Sequence, residues 1–147
     1  MDISGSQKIK ASQQRVFQAI FDPTILKNSI PGCGGAEYVD TPVGRELLLT
    51  VSPSVPGLKG PYQIPLRTED VVEPSHLVIV AEPSSSIGSV KARCTVDLAA
   101  DGASTVVNYT ANAVLDGKIG AIPEIVIKPA LKGAVDHFFK NLEKQIS

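Results

Sequence analysis

The chain has no tryptophan and, among 147 residues, only four phenylalanines and three tyrosines. Large side chains able to fill a wide interior are therefore scarce. Cysteine is limited to Cys33 and Cys94, too few for the disulfide framework of a small secreted domain. Neither has a Cys or His close by at metal-ligand spacing, so a zinc site has no support. Positive charge is neither in excess nor clustered. The formal net charge is −1, and Lys8, Lys27, Arg45, Lys59, Lys91 and Lys118 lie far apart in the chain. Nucleic acid and anionic membranes both call for a basic face, so nucleic acid is not an expected partner and membrane contact is at most peripheral. No apolar run approaches the ~20 residues of a membrane span. Met1-Asp2-Ile3-Ser4 lacks the basic start and apolar stretch of a signal peptide. The expectation is a soluble, cytoplasmic protein.

What is present reads as one globular domain over residues 1–147, with 43% hydrophobic and 20% charged residues. Ile3, Gly5, Gln7 and Ile9 alternate with Ser4, Ser6, Lys8 and Lys10, the period of a strand. Ser12 is a good N-cap for a helix to residue 21, with Val16, Phe17 and Ile20 on one stripe. Asp22-Pro23 restarts it as a short helix to about residue 28, Asp22 capping and Pro23 taking the first helical position. Strands are expected over 37–40 and 44–51, with a loop at Pro53, Pro56 and Gly57. Further strands are expected over 62–72, where Pro65 suggests an edge or bulge, and over 76–82.

The last two strands alternate most cleanly. Val90, Ala92, Cys94, Val96 and Leu98 form one dry row; across the Asp101-Gly102 turn, Thr105, Val107, Tyr109, Ala111, Ala113 and Leu115 form its match. A helix then runs to about residue 146, with Leu131, Val135, Phe138, Leu142 and Ile146 on one stripe, and Pro129 predicts a kink or restart in it. One sheet and one long amphipathic helix must cover each other's apolar faces. The expected fold is α+β and of the helix-grip kind: a curved antiparallel sheet of about seven strands around a long C-terminal helix, with two short helices after strand 1.

The inward rows carry Ala92, Cys94, Ala111 and Ala113, all small, on neighbouring strands. A curved sheet holds the helix away from its middle, so small residues there predict an apolar cavity, the alternative being alanines packed solidly against the helix. Tyr62 and Tyr109 also fall inward by alternation. A buried phenol takes a partner, and both a side chain and a ligand carbonyl stand open for that part. Ile30-Pro31-Gly32-Cys33 is a tight turn or a gate over the cavity. Asp136 and His137 are adjacent on a helix and do not face each other, so both are expected on the solvated face. His76 and Lys59 are expected to be exposed. No nucleophile–base pair, paired carboxylates or phosphate loop can be assembled.

Five segments occur together in order: Ile30-Pro31-Gly32-Cys33, Gly57-Leu58-Lys59-Gly60-Pro61-Tyr62, Gly88-Ser89-Val90-Lys91-Ala92, Tyr109 followed by Gly117-Lys118-Ile119, and Asp136-His137-Phe138-Phe139. In these the chain resembles the carbon monoxide dehydrogenase G-subunit family, a branch of the START/Bet v 1-like superfamily. The resemblance implies the helix-grip fold and a role beside molybdenum-containing hydroxylases such as aerobic carbon monoxide dehydrogenase. It also implies recruitment of the enzyme to the inner face of the membrane, or carriage of a quinone or other lipid, with no covalent cofactor. Many members carry a further C-terminal tail, whereas this sequence ends at Ser147. It also has Pro123 and Pro129 where the family commonly has glycines.

The cavity is expected to be lined by Ile30, Pro31, Tyr62, Ala92, Cys94, Tyr109, Ala111, Ile122, Val126, Leu131 and Phe138, with no catalytic or metal-binding residue. A small cyclase-like enzyme and a protein-only assembly factor are the alternatives to a ligand carrier. The inward polar groups Gln7, Tyr62, Thr105 and Tyr109 are neutral near pH 7, which disfavours the enzyme.

Overall fold

The computed structural model describes residues 1–42, 44–52 and 60–146. The loop of Pro53, Pro56, Gly57 and Lys59 lies outside the described residues, as does the first half of the 57–62 segment. The N-terminal part follows its local chemistry. Strand β1 (Asp2–Ile9) buries Ile3 and Ile9. Ser12 caps α1 (Gln13–Ile20), its hydroxyl accepting from the Arg15 amide, and Val16, Phe17, Ala19 and Ile20 face the core. Asp22 caps α2 (Pro23–Ser29), accepting from the amides of Thr24 at 2.9 Å and Ile25 at 3.3 Å. Such a cap contributes about 1 kcal/mol.

The strands that follow are β2 (Cys33–Thr41), β3 (Gly44–Val51), β4 (Tyr62–Val72), β5 (His76–Ala81), the two-residue β6 (Ser84–Ser85), β7 (Gly88–Asp101) and β8 (Ser104–Asp116). β2 starts four residues earlier than the alternation around residues 37–40 suggests, because glycines and Ala36 carry no pattern yet pair with β3 through a bulge at Cys33/Gly35. β6 is not legible from period at all; it exists only as a partner of β7. Among the described residues the sheet runs β1-β8-β7-β5-β4-β3-β2, all antiparallel, so the first strand closes beside the last.

A turn of 3-10 helix over Ile119–Ala121 leads to α3 (Glu124–Ile146), one helix of 23 residues. The restart expected at Pro129 does not occur. Proline removes one amide and frees the carbonyl four residues back. That residue is Ile125, 84% exposed, a position where water serves the freed carbonyl. α3 lies across the concave face of the sheet, which is the helix-grip arrangement. Its buried line is Ile127, Phe139, Leu142 and Ile146, with Leu131, Val135 and Phe138 half-buried. The stripe is thus centred on Phe139, one residue past Phe138. Phe138 packs between two core clusters, the main one and a smaller one of Leu26, Leu47, Leu49 and Val51.

Candidate functional site: an apolar hollow

Register creates the site. Ala81 of β5 stands beside Ala92 of β7, and Ala92 beside Ala113 of β8. Three methyl groups in one row across three strands, bordered by Val90 and Leu115 on one side and by Ile79, Cys94 and Ala111 on the other, leave a hole beneath α3. The result is a half-open hollow of about 460 Å³ floored by these alanines. Ile64, Val90, Leu115, Ile119, Ile127 and Leu131 wall it, and Tyr62, Gln63, Ser84 and Ser85 supply polar atoms at one side. A volume of a few hundred Å³ is ordinary for a small-molecule pocket. No carboxylate, amine, guanidinium, imidazole or thiol lines it among the described residues.

Of the expected lining, Tyr62, Ala92 and Leu131 bound this hollow. Cys94, Ala111 and Phe138 pack on the main core one layer away, and Tyr109 is buried within that core. Ile30 belongs to the smaller cluster. Ile122 lines a second depression, about 480 Å³, between the 3-10 turn, the start of α3 and β8. Val126 is 40% exposed, because one helical step of ~100° separates it from the buried Ile127. Pro31 is exposed. The segment 30–33 is a fixed turn: Cys33 N–H donates to the Ile30 carbonyl at 3.1 Å and Ser52 N–H to the Gly32 carbonyl at 2.9 Å. Gly32 has φ +76°, and a Cβ there would strike the Ser52 carbonyl, so only glycine suits it. Ala81, Ile64, Val90, Leu115 and Ile119 belong to the hollow without having been expected there. Period 2 from Leu77 and Ile79 marks Ala81 as inward, which was the available signal.

The polar group that helical phase misplaces is Asp136. It is half-buried rather than solvated, accepting at Oδ1 from Tyr109 Oη at 2.9 Å and Gln7 Nε2 at 3.2 Å, and at Oδ2 from Lys132 Nζ at 3.0 Å. Burial pushes its carboxyl up, but the hydrogen bonds from Lys132, Tyr109 and Gln7 outweigh this and hold it below its ordinary value. Burial, then the bond to Asp136, raises the Tyr109 phenol well above its usual range. Gly5 faces Tyr109 across β1 and β8, and a Cβ on it would lie 2.6 Å from Oη. The cluster is a clamp of helix to sheet: each partner is satisfied by another protein group, and the phenol's partner is a side chain.

Among the described residues, no cysteine or histidine stands in the hollow as a nucleophile or base. Burial pushes the Cys94 thiol up to about 11, keeping it protonated, and the Cys33 thiol donates to the Gly35 carbonyl at 3.2 Å. His76 pairs with Asp97 at 2.7 Å away from the hollow, and His137 is exposed. Among the described residues no group of His, Cys, Asp or Glu could hold a metal ion, and no helix is long and apolar enough to cross a membrane.

Solved structures of similar shape are numerous. A conserved protein from Geobacillus kaustophilus is 25% identical with a TM-score of 0.88, the likeness covering 99% of this chain and 95% of that one. A START superfamily protein from Mycobacterium smegmatis is 16% identical with a TM-score of 0.72, covering 99% and 96%. The di-domain ARO/CYC protein BexL, 11% identical with a TM-score of 0.70, aligns to all of this chain and 50% of its own. The last two likenesses speak for the fold alone. No curated protein matches the sequence. A family model, that of the carbon monoxide dehydrogenase G subunit (CoxG), matches residues 5–147. That span holds the sheet, the gripping helix and the hollow together, and the chain therefore belongs to the CoxG family of carbon monoxide dehydrogenase G subunits.

Proposed function

We propose that the protein is a non-catalytic accessory to a molybdenum-containing hydroxylase such as aerobic carbon monoxide dehydrogenase, and that it carries a hydrophobic ligand, a quinone, in the hollow. The carrying observation is an apolar hollow of about 460 Å³ without a charged group in its described lining. A quinone suits that chemistry, since its carbonyls are neutral acceptors and its tail is apolar. Burying the tail contributes ~25 cal/mol per Å² before the ordering costs of association. Family membership supports the tie to the dehydrogenase; loaded with quinone, the protein would accept electrons from that enzyme and pass them on to the respiratory chain.

Exchange of the ligand at the inner face of a membrane is supported by the outer rim. Ile125 is 84% exposed, Val114 51% and Val126 40%. Ala113, Leu115 and Ile127 line both the hollow and the neighbouring depression, so apolar surface continues from rim to interior. An enzymatic reading would need two or more titrating groups converging in the hollow, and the lining offers neutral amide, hydroxyl and phenol groups.

Solvent extraction of protein purified without detergent, followed by mass spectrometry, tests the proposal together with co-purification of the dehydrogenase. A neutral isoprenoid at near-equal stoichiometry is expected. An empty extract combined with no uptake of an added menaquinone analogue overturns the carrier, leaving the assembly factor. Chemical conversion of the bound compound establishes the enzyme instead.

A further inference from the structure

Tyr62, Gln63 and Ile64 on β4 all line the hollow, as do Pro83, Ser84 and Ser85 on the facing stretch. Successive strand residues point to opposite faces of a sheet, so a pocket lying on one face meets every second residue. A pocket that meets three in a row on each of two strands lies at strand edges. The pairing agrees. β4 pairs with β5 only from Leu66 and Ala81 onward. Ahead of that point residues 62–65 keep their partners in β3, while Ser84 and Ser85 turn to Ser89 and Gly88 of β7. Continued one for one, the register would set Tyr62 against Ser85 and Ile64 against Pro83, and neither pair forms.

Pairing with β7 draws residues 83–85 away from β4. Pro65 has no amide hydrogen for a ladder, and Pro83 is turned to β7, its carbonyl accepting from the Val90 amide at 3.0 Å. An ion pair of Arg67 with Glu82 at 2.8 Å pins the closed end. Above it no pairing joins β4 to β6 among the described residues, which leaves a sheet edge on each side. Tyr62, Gln63, Ser84 and Ser85 line the hollow there, the Ser85 hydroxyl accepting from the Ile87 amide at 3.3 Å.

We infer that the split between β4 and β6 receives the polar end of a neutral, single-chain amphiphile, a hydroxyl or carbonyl group, while its chain lies over the alanine floor. The inference rests on the carrier reading above and specifies its ligand. Among the described residues the lining at the split is neutral, and Arg67 at its closed end is already paired with Glu82, so a carbonyl or hydroxyl is satisfied there, whereas a carboxylate would be desolvated without an unpaired counter-ion among them. Size sets a second limit. At about 30 Å³ per water-sized atom, 460 Å³ holds on the order of 15 non-hydrogen atoms. A longer tail leaves through the split or along the apolar rim.

The test is displacement of the neutral fluorophore N-phenyl-1-naphthylamine by 1-dodecanol or by dodecanoate at pH 8. Wild type, Ser85→Lys, Gln63→Lys and Ala113→Phe are compared after circular dichroism confirms that each is folded. Wild type should be displaced by dodecanol at a concentration at least about tenfold lower than by dodecanoate, the cost of burying an unpaired charge. Ser85→Lys or Gln63→Lys should narrow or invert that ratio, and Ala113→Phe should abolish fluorophore uptake. If Ala113→Phe abolishes uptake but both lysine variants keep the wild-type ratio, the polar end does not lie in the split, and the carrier reading stands. Equal or better displacement of wild type by dodecanoate overturns the neutral selection. Undiminished uptake by Ala113→Phe overturns the carrier reading itself.

Discussion

Two rows on one face of the sheet, separated by the row of Ile79, Cys94 and Ala111, behave oppositely. In the row Leu77, Val96 and Tyr109, every residue is at most 2% exposed, and Tyr109 stacks on Phe139 of α3 with ring centroids 5.8 Å apart. In the row Ala81, Ala92 and Ala113, four residues away on the same three strands, the side chains stop at one carbon and the hollow begins. Backbone, pairing and covering helix are common to both rows. Side-chain volume is the chief difference between a solid wall and a binding space, and close packing makes it count.

The largest way to test the contrast is to empty the solid row. Phe139→Ala should lower stability by about 3–5 kcal/mol, because a 4% exposed ring on the core line leaves a void. Chemical denaturation measures it. Phe138→Ala, at a half-buried position, should cost visibly less, and equal losses would place the helix in a different phase.

Cutting the clamp comes next. Tyr109→Phe should cost about 1–2 kcal/mol at pH 7, the range of a hydrogen bond to a charged group offset by the donors Asp136 retains. The cost should depend on pH. Asp136 has a lowered folded value, so its stabilisation is present above the unfolded carboxylate value near 4 and fades as pH falls through that region. Tyr109 has a raised one, so its stabilisation is present below the ordinary phenol value of about 10 and fades as pH rises beyond it. Melting curves at pH 3, 7 and 11 should therefore show the widest gap between variant and wild type at pH 7. A gap constant across all three contradicts the clamp.

Filling the hollow row should have the smallest effect on stability. Overpacking a solid core costs about 1–3 kcal/mol, but Ala113→Phe places its ring in existing space and should change stability by less than about 1 kcal/mol. A thermal shift as large as that of Tyr109→Phe would mean that the floor is packed, not open.

Much of the fold was legible because its causes are local. The Ser12 and Asp22 caps, Pro23 at the first helical position, and the alternations along β1, β7 and β8 each act within a few residues. The candidate site was legible only as a tendency toward small inward residues. Ala92 was found by alternation, but the row needs Ala81, whose significance depends on which strand lies beside β7. The placing of Asp136 misled for a similar reason: helical phase puts it beside the apolar stripe, and the pull inward comes from Gln7 and Tyr109, 129 and 27 residues away. Pro129 predicts a kink or restart in isolation, yet α3 runs on as one helix, with packing along Ile127, Leu131 and Phe139 holding the flanking turns.

Sequence by itself determined the elements, their order, the α+β class and the shortage of large side chains, since propensity, capping and period are properties of short segments. Tertiary structure decided where that shortage falls. Strand register gathered three alanines into one row, pairing with β7 drew residues 83–85 away from β4, and a helix spanning the sheet left the space between them open. Each of these depends on residues distant in the chain meeting at fixed spacing, which no local pattern contains.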